Sequence, residues 1–350
     1  MTVSDFSFDL PDDLIAQEPS LERGASSLLV LDRQSGALAD RTVRDLPSLL
    51  QPGDLLVVND TKVFAARLLG RRLPGGGRAE CLLVRSLHAG PDGEEWEALV
   101  HPGQRLKEGS RLEFGEPPWR IHGEICARRF HGRRVVRLRA EGVALAEAID
   151  AIGHVPLPPY IKRGDIAADR DRYQTVYARA RGSIAAPTAG LHFTPEILDA
   201  LDARGIERAA ITLHVGYGTF QPIRTAQVED HRMEEEHFEV SPAAAAAISR
   251  ARGDHRRIIA VGTTTTRTLE SLTVDSGSVS PGAGVTSLFI HPGYRFRLVS
   301  GLVTNFHLPC SSLLLLVSAF AGRDHVLAAY RHAVEARYRF YSYGDAMLTV

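Results

Sequence analysis

From Val63 to about Ala140 the chain is written as short β-type runs broken by glycine and proline, and the stretches on either side are not. The runs are Ala79 to Leu87, Trp96 to Val100, Arg111 to Phe114, Trp119 to Ala127 and Arg134 to Leu138. They are punctuated by Pro74-Gly75-Gly76-Gly77, Pro91-Asp92-Gly93 and His101-Pro102-Gly103. Strands at this spacing predict a small barrel or sandwich. Before it, strands are expected at Ser27 to Asp32 and Asp54 to Asn59. After it, Thr194-Pro195 reads as an N-cap with proline at the first helical position, and that helix should stop at Gly205. A strand at Arg257 to Val261 leads through Gly262 and four threonines into a helix near Arg267 to Leu272. Ser311 should cap a helix carrying Leu313 to Phe320, and Asp324 to about Arg339 should form a last helix with Leu327, Tyr330, Val334 and Tyr338 on one face. Alternating strands and helices indicate an α/β fold. The expected organisation is a larger mixed α/β domain, residues 1–62 and 151–350, interrupted by a small inserted β-barrel, residues 63–150.

Charge gives no global pull toward nucleic acid: 41 Lys+Arg nearly cancel 42 Asp+Glu, so RNA binding would need local patches. Lys62, Arg67, Arg71, Arg72 and Arg78 occur with no acid among them, as do Arg128, Arg129, Arg133, Arg134, Arg137 and Arg139. Lys162-Arg163 follows Pro158-Pro159-Tyr160-Ile161, which sets an aromatic ring beside two cations. Lys62, Arg67, Arg71, Arg72, Lys162 and Arg163 are therefore candidate RNA contacts, with a solvated charged face as the plainer alternative. Three scattered cysteines, Cys81, Cys126 and Cys310, fit neither a disulfide framework nor a cysteine zinc site and suit a reducing cytoplasm. The stretch His231, Glu234, Glu235, Glu236, His237 matches no HExxH or zinc-ribbon spacing, so it reads as an acidic helix or loop and no metal is expected. The N-terminus does not read as a signal peptide, and Leu313 to Phe320 is far short of a membrane span, so a buried helix is expected there.

Five segments combine reactive groups with turn residues. The first, Pro187-Thr188-Ala189-Gly190-Leu191-His192-Phe193, precedes a capped helix, where free N–H groups suit a carboxylate or phosphate and His192 is a candidate for proton transfer. The second, Thr212 to Phe220, places His214 on a strand and Tyr217 between Gly216 and Gly218, where backbone can approach a flat ligand. In the third, Val261 to Glu270, a strand–Gly–Thr–helix order with Thr263, Thr264 and Arg267 resembles an anion-binding turn without the Gly-Lys-Ser/Thr ending of a nucleotide P-loop. The fourth, Thr304-Asn305-Phe306-His307-Leu308-Pro309-Cys310-Ser311-Ser312, again opens a helix. The fifth, Tyr341-Ser342-Tyr343-Gly344-Asp345-Ala346-Met347, holds two tyrosines and a lone acid. Each has an ordinary structural alternative: a hydrogen-bonded loop histidine, a glycine-bent strand, capping threonines.

Together these segments resemble the S-adenosylmethionine:tRNA ribosyltransferase-isomerase family of queuosine synthesis. The resemblance also covers Phe8-Asp9-Leu10-Pro11 with Leu14-Ile15-Ala16-Gln17, Asn59-Asp60-Thr61-Lys62-Val63, Pro158 to Arg163 and Arg172 to Tyr177, and so runs over nearly the whole chain. Thr265-Thr266 stands where the family usually has Ser-Val, and Cys310 where a lysine or another residue is expected. The resemblance implies a transferase that moves the ribosyl part of S-adenosylmethionine onto 7-aminomethyl-7-deazaguanine at the wobble position of a tRNA, leaving epoxyqueuosine and releasing adenine and methionine. S-adenosylmethionine is then a consumed co-substrate and no cofactor is expected; the protein would be a cytoplasmic monomer with no membrane association. Its sulfonium acidifies the neighbouring 5′ C–H, so the reaction needs a base, an acid for departing adenine, a polar grip on methionine and shelter from water. His192, His214, His307 and Asp345 are the candidates for proton transfer, with base and acid left unassigned. Thr188, Gly190, Tyr217, Thr263, Thr264, Arg267, Asn305 and Tyr343 are the candidates for substrate binding. Two other classes compete: an RNA-binding module without catalysis, and a methyltransferase that uses the same co-substrate conventionally.

Overall fold

The computed structural model describes residues 1–129, 132–220, 222–275 and 277–350. Its centre is the strand Leu55–Asn59, every residue of which is buried. Leu55 and Val57 face one apolar cluster, while Leu56 and Val58 face another. A strand apolar on both faces belongs inside a sheet covered on both sides. Its neighbours are Glu207–Leu213 and Ile258–Val261, both parallel to it, and Gly301–Asn305 lies parallel beyond Ile258–Val261. Nine strands make this sheet. Beyond Gly301–Asn305 come Ala346–Thr349, Ser27–Leu31 and Leu38–Thr42; the other edge is Glu236–Val240 and Gly282–Thr286. Helices Pro242–Gly253, Ser312–Ala321 and Arg323–Glu335 pack on one face, and Leu46–Leu49 with Pro195–Ala203 on the other.

The chain leaves this sheet after Asn59 and builds a closed six-stranded antiparallel barrel from Arg67–Leu73, Arg78–Gly90, Gly93–His101, Arg111–Phe114, Ile121–Arg128 and Arg133–Ala140. Leu68, Cys81, Leu83, Phe114, Ile125 and Leu138 fill it. Burial pushes the Cys81 thiol up to about 12, so it is inert packing. Helix Leu145–Ile152 packs Leu145, Ala148 and Ile149 into the same core. The α/β fold with a barrel is as expected, and most strands lie within a few residues of their sequence positions.

Four local expectations need correction. The helix after Gly262 starts at Thr263, not near Arg267. Threonine is a poor helix former, but the Thr265, Thr266 and Thr268 hydroxyls donate back to the carbonyls of Val261, Gly262 and Thr264, which gives them partners inside the helix. The last helix ends at Glu335, because Arg337 turns left-handed (φ 58°) and Tyr338 N–H donates back to Ala333 O at 2.8 Å; Tyr338 lies beyond the helix. His214 lies just past the end of its strand, and Glu236-His237 opens a strand instead of an acidic helix or loop. The caps stand as expected: Thr194 accepts from Ile197 N–H and Ser311 from Leu314 N–H.

No single helix among the described residues is long and apolar enough to cross a membrane. The helices Ser312–Ala321 and Arg323–Glu335 have the length and composition only as a pair, bent by 116°, and Leu314, Leu315, Leu316, Val317, Val326 and Tyr330 are core residues.

Candidate active site

Ligands of open α/β sheets sit outside the carboxyl ends of the parallel strands, and a cleft of about 820 Å³ lies there. Its walls come from Ala185–Ala189, the turn after Val261, the end of Gly301–Asn305 with the loop to Ser311, and Tyr341-Ser342. Gly262 makes the first wall possible: its φ of 91° is open to glycine and costly for other residues, and it delivers the chain into a helix with no side-chain cap. The first N–H groups of that helix are thus left facing outward. The hydroxyls of Thr265, Thr266 and Thr268 are satisfied inside the helix, whereas Thr263 and Thr264 line the cleft. Thr264 is also steadied by Asn59, whose buried amide ties Leu213 to the end of the central strand.

Asn305 and His307 form the facing wall. Asn305 Nδ2 donates to Tyr341 O and to His192 Nε2, each at 3.1 Å. The Tyr341 carbonyl can only accept, which fixes the amide nitrogen toward it. His192 Nε2 is therefore an acceptor and its Nδ1 carries the hydrogen. Among the described residues the Asn305 Oδ1 is buried with no protein partner, and so is the Tyr341 hydroxyl. Buried polar atoms are rarely left unpaired, so these two mark where a ligand's polar groups belong. Tyr341 holds a left-handed backbone (φ 73°) and stacks on Tyr160 at 4.4 Å, and Cys310 on the same rim is also left-handed (φ 56°). Such strain in non-glycine residues concentrates at functional sites.

The sequence candidates separate in space. Thr188, Thr263, Thr264, Asn305 and His307 meet at this cleft. His307 bonds Thr304 Oγ1 through Nε2 at 2.8 Å, and burial pushes it down to about 3, so it is neutral at working pH. His192 lies behind Asn305 and opens on a smaller cavity on the other side, with Tyr343. Burial first, then the charges of Arg339 and Arg23, pushes His192 down to about 4. His214 sits apart, bonded to Thr61 Oγ1 at 2.8 Å and lowered mainly by burial. Asp345 accepts the backbone N–H groups of Ser27 (3.0 Å) and Arg339 (2.7 Å), which ties the strand Ser27–Leu31 to the segment after the last helix; burial raises its pKa. Gly190 is a packing glycine: a Cβ there would stand 2.2 Å from the Tyr177 hydroxyl. Tyr343 donates to Asp169 at 2.8 Å. Arg267 does not line the cleft. It is 2% exposed and ion-paired to Glu236, which also accepts Gly216 N–H at 3.1 Å, so it ties the helix, the strand Glu236–Val240 and the loop of His214 together. Tyr217 lines a neighbouring groove with Arg67, Lys162 and Arg163.

The acid-free basic runs acquire acids across the barrel. Arg67 forks onto Glu80 (2.7 and 3.0 Å), Arg71 onto Glu113, Arg137 onto Glu95, and Arg133 onto Glu97 and Glu234. Arg163 is held by Asp169. Arg72 lies against Gly77 and makes no ion pair among the described residues, and Lys62 is exposed. No group of metal ligands occurs among the described residues. Sequence reasoning placed no role on Tyr160 beyond its neighbouring cations, and missed Tyr341 as a wall of the cleft; the backbone strain that singles it out is not written in residue type.

The family model described as "Queuosine biosynthesis protein" matches residues 3–349. The chain is similar to an S-adenosylmethionine:tRNA ribosyltransferase-isomerase of Anaeromyxobacter sp. (strain Fw109-5), 55% identical over 99% of both chains. It is similar to that of Symbiobacterium thermophilum, 51% identical over 99% of both. Among solved structures it resembles the S-adenosylmethionine tRNA ribosyltransferase of Thermotoga maritima, 37% identical, with a TM-score of 0.56 over 99% of this chain and 100% of that one.

Proposed function

This chain belongs to the S-adenosylmethionine:tRNA ribosyltransferase-isomerase family of queuosine biosynthesis, and we propose that it moves the ribosyl part of S-adenosylmethionine onto 7-aminomethyl-7-deazaguanine at the wobble position of a tRNA. The products are epoxyqueuosine-tRNA, adenine and methionine, and S-adenosylmethionine is consumed as a co-substrate with no separate cofactor. The observation that carries this reading is the polarity of the cleft. One wall offers uncapped N–H groups and the Thr263 and Thr264 hydroxyls, which suit the methionine carboxylate. The opposite wall offers the unpartnered Asn305 Oδ1 and Tyr341 hydroxyl, which suit the amine and ring nitrogens of adenine.

His307 is the one of the four proton-transfer candidates that lines this cleft, so it is the side chain placed to touch the substrate's reacting region. Loss of the 5′ proton to a base gives the sulfonium ylide. Ring opening then expels adenine, which takes up a proton. The aminomethyl nitrogen attacks, and rearrangement releases methionine and closes the epoxide. His192 acts on this cleft only through Asn305, so it is a positioning residue. The reading takes the protein as a cytoplasmic monomer; light scattering of the purified chain tests its oligomeric state. The decisive assay mixes the protein with S-adenosylmethionine and tRNA bearing the aminomethyl base. Adenine and methionine are expected. S-adenosylhomocysteine would indicate a methyltransferase, and binding without turnover an RNA-binding module.

A further inference from the structure

The small cavity behind Asn305 is framed by two arginines that make no ion pair among the described residues. Arg23 donates to the carbonyls of Gln174 (2.7 Å) and Asp171 (3.0 Å), and Arg172 to those of Ser20 and Leu21. Both line the cavity with His192 and the Gly24 and Gly344 backbone. Arg339 does not line the cavity, but its charge reaches His192 there, and its guanidinium makes one long bond to Glu18 O (3.4 Å). None of the three guanidinium groups lies within ion-pair distance of a carboxylate among the described residues, and no acidic side chain lines the cavity. The nearby acids are otherwise engaged or turned out: Asp169 is taken by Arg163, the Asp345 carboxylate by two backbone N–H groups, and Asp171 is exposed. This differs from the barrel, where Arg67, Arg71, Arg133 and Arg137 each have a carboxylate. Three cations without an ion pair among the described residues, two of them fixed by carbonyls, form an anion seat: the carbonyls orient the guanidinium groups without neutralising them, and only the longer-range charges of Asp171 on Arg23 and of Asp345 on Arg339 offset them.

We propose that the cavity of Arg23, Arg172 and His192, with the charge of Arg339 close by, seats a phosphate of the RNA backbone and so lays the tRNA strand against the Asn305 side of the S-adenosylmethionine cleft. This rests on the tRNA substrate proposed above. The seat joins the cleft through a single hydrogen-bonded step, His192 to Asn305, so strand and co-substrate meet at one amide. These cations come from segments about 150 residues apart, which is why no run of charge in the sequence marks them.

The test is a salt titration of tRNA affinity with Arg23→Gln, Arg172→Gln and Arg339→Gln. Glutamine keeps an amide donor for the carbonyls and removes the charge. Each variant should weaken tRNA binding several-fold and flatten the slope of log affinity against log salt by about 0.7, the value for one single-stranded phosphate contact, while the KM for S-adenosylmethionine and the melting temperature stay at wild type. Arg339→Gln loses one long hydrogen bond and a longer-range attraction to Asp345, so it keeps the test open if the other two fold poorly. A wild-type slope in folded Arg339→Gln and in either partner would overturn the proposal. A parallel arm titrates inorganic phosphate against chloride at matched ionic strength. If phosphate stabilises the wild type and not the variants while the tRNA slope is unmoved, the seat takes free phosphate and the RNA assignment fails. A wild-type protein that binds no tRNA would instead sink the functional reading itself.

Discussion

The barrel and the carboxyl end of the sheet treat their polar groups in opposite ways. On the barrel, Arg67, Arg71, Arg133 and Arg137 find carboxylates, Arg71 facing Glu113 and Arg137 facing Glu95 in direct register, while Arg72 and Arg134 make no ion pair among the described residues. At the sheet's carboxyl end, Asn305 Oδ1 and the Tyr341 hydroxyl are buried and unpaired, a helix starts without a cap, and two non-glycine residues sit in left-handed backbone. A surface whose groups satisfy one another has no use for a ligand. One that keeps buried groups unsatisfied carries a standing cost that a bound molecule relieves. Charge density along the sequence points to the barrel; unsatisfied geometry points to the cleft.

The largest expected effect breaks the cleft side. His307→Ala should lower single-turnover adenine release by about 10²–10⁴-fold, the usual contribution of a placed proton-transfer group. A melting curve must accompany it, since the side chain is buried. A fall of less than about tenfold in a folded variant would remove His307 from the chemistry. Next comes the buried pair beneath the cleft. Arg267→Met leaves Glu236 unpaired in the interior and should cost about 3–5 kcal/mol by denaturant unfolding, the range for breaking a buried ion pair from one side. Met at both positions should recover much of that. If the double variant is no more stable than Arg267→Met, the loss comes from packing, not charge.

Acid sharpens the comparison further. The unfolded chain takes up protons on histidine near 6.5, but His192 and His307 withhold theirs until about 4 and about 3. The unfolded state therefore binds more protons through that window, and these two groups should make stability fall as pH drops from about 6.5 toward about 4. Their contribution is fully present above 6.5. A chevron or melting series run against His192→Asn should show a shallower fall; parallel curves would locate the acid sensitivity elsewhere. The smallest effect belongs to the barrel. Arg71→Gln should leave the melting temperature and the salt slope of tRNA binding near wild type, because its charge is already spent on Glu113. A slope flattened by about 0.7 would return RNA contact to this face.

What the sequence disclosed follows the range of the interaction. Thr194 and Ser311 cap as expected because a cap is decided within three residues. The barrel was legible because turns punctuate each strand locally. Thr188, Thr263, Thr264, Asn305 and His307 were legible as residues of junctions that meet at one cleft, because glycine-broken strand-to-helix junctions leave a local signature. Arg267 was misplaced because its partner lies 31 residues away on another strand, and His192 because the amide that pins it is 113 residues away. The helix start at Thr263 was missed because intrinsic propensity disfavours threonine, whereas the hydroxyl-to-carbonyl bonds that accommodate it form only once the turn exists.

The strand Ala346–Thr349 lies inside the sheet, parallel to Ser27–Leu31 and antiparallel to Gly301–Asn305, with Leu28 opposite Ala346. A sheet closed this way is completed late. Ser27–Leu31 and Leu38–Thr42 are made early, but they have no route to the sheet until residues more than 300 positions downstream arrive. Contacts of that separation slow folding, because loop closure comes before its reward. The same strand follows directly on Tyr341 and Ser342, so the cleft gains its last wall in the step that seals the sheet. A chain stalled short of that step holds the threonine turn and Asn305 but lacks Tyr341 beside Asn305 on the facing wall, and competence to bind S-adenosylmethionine becomes a readout of completed folding.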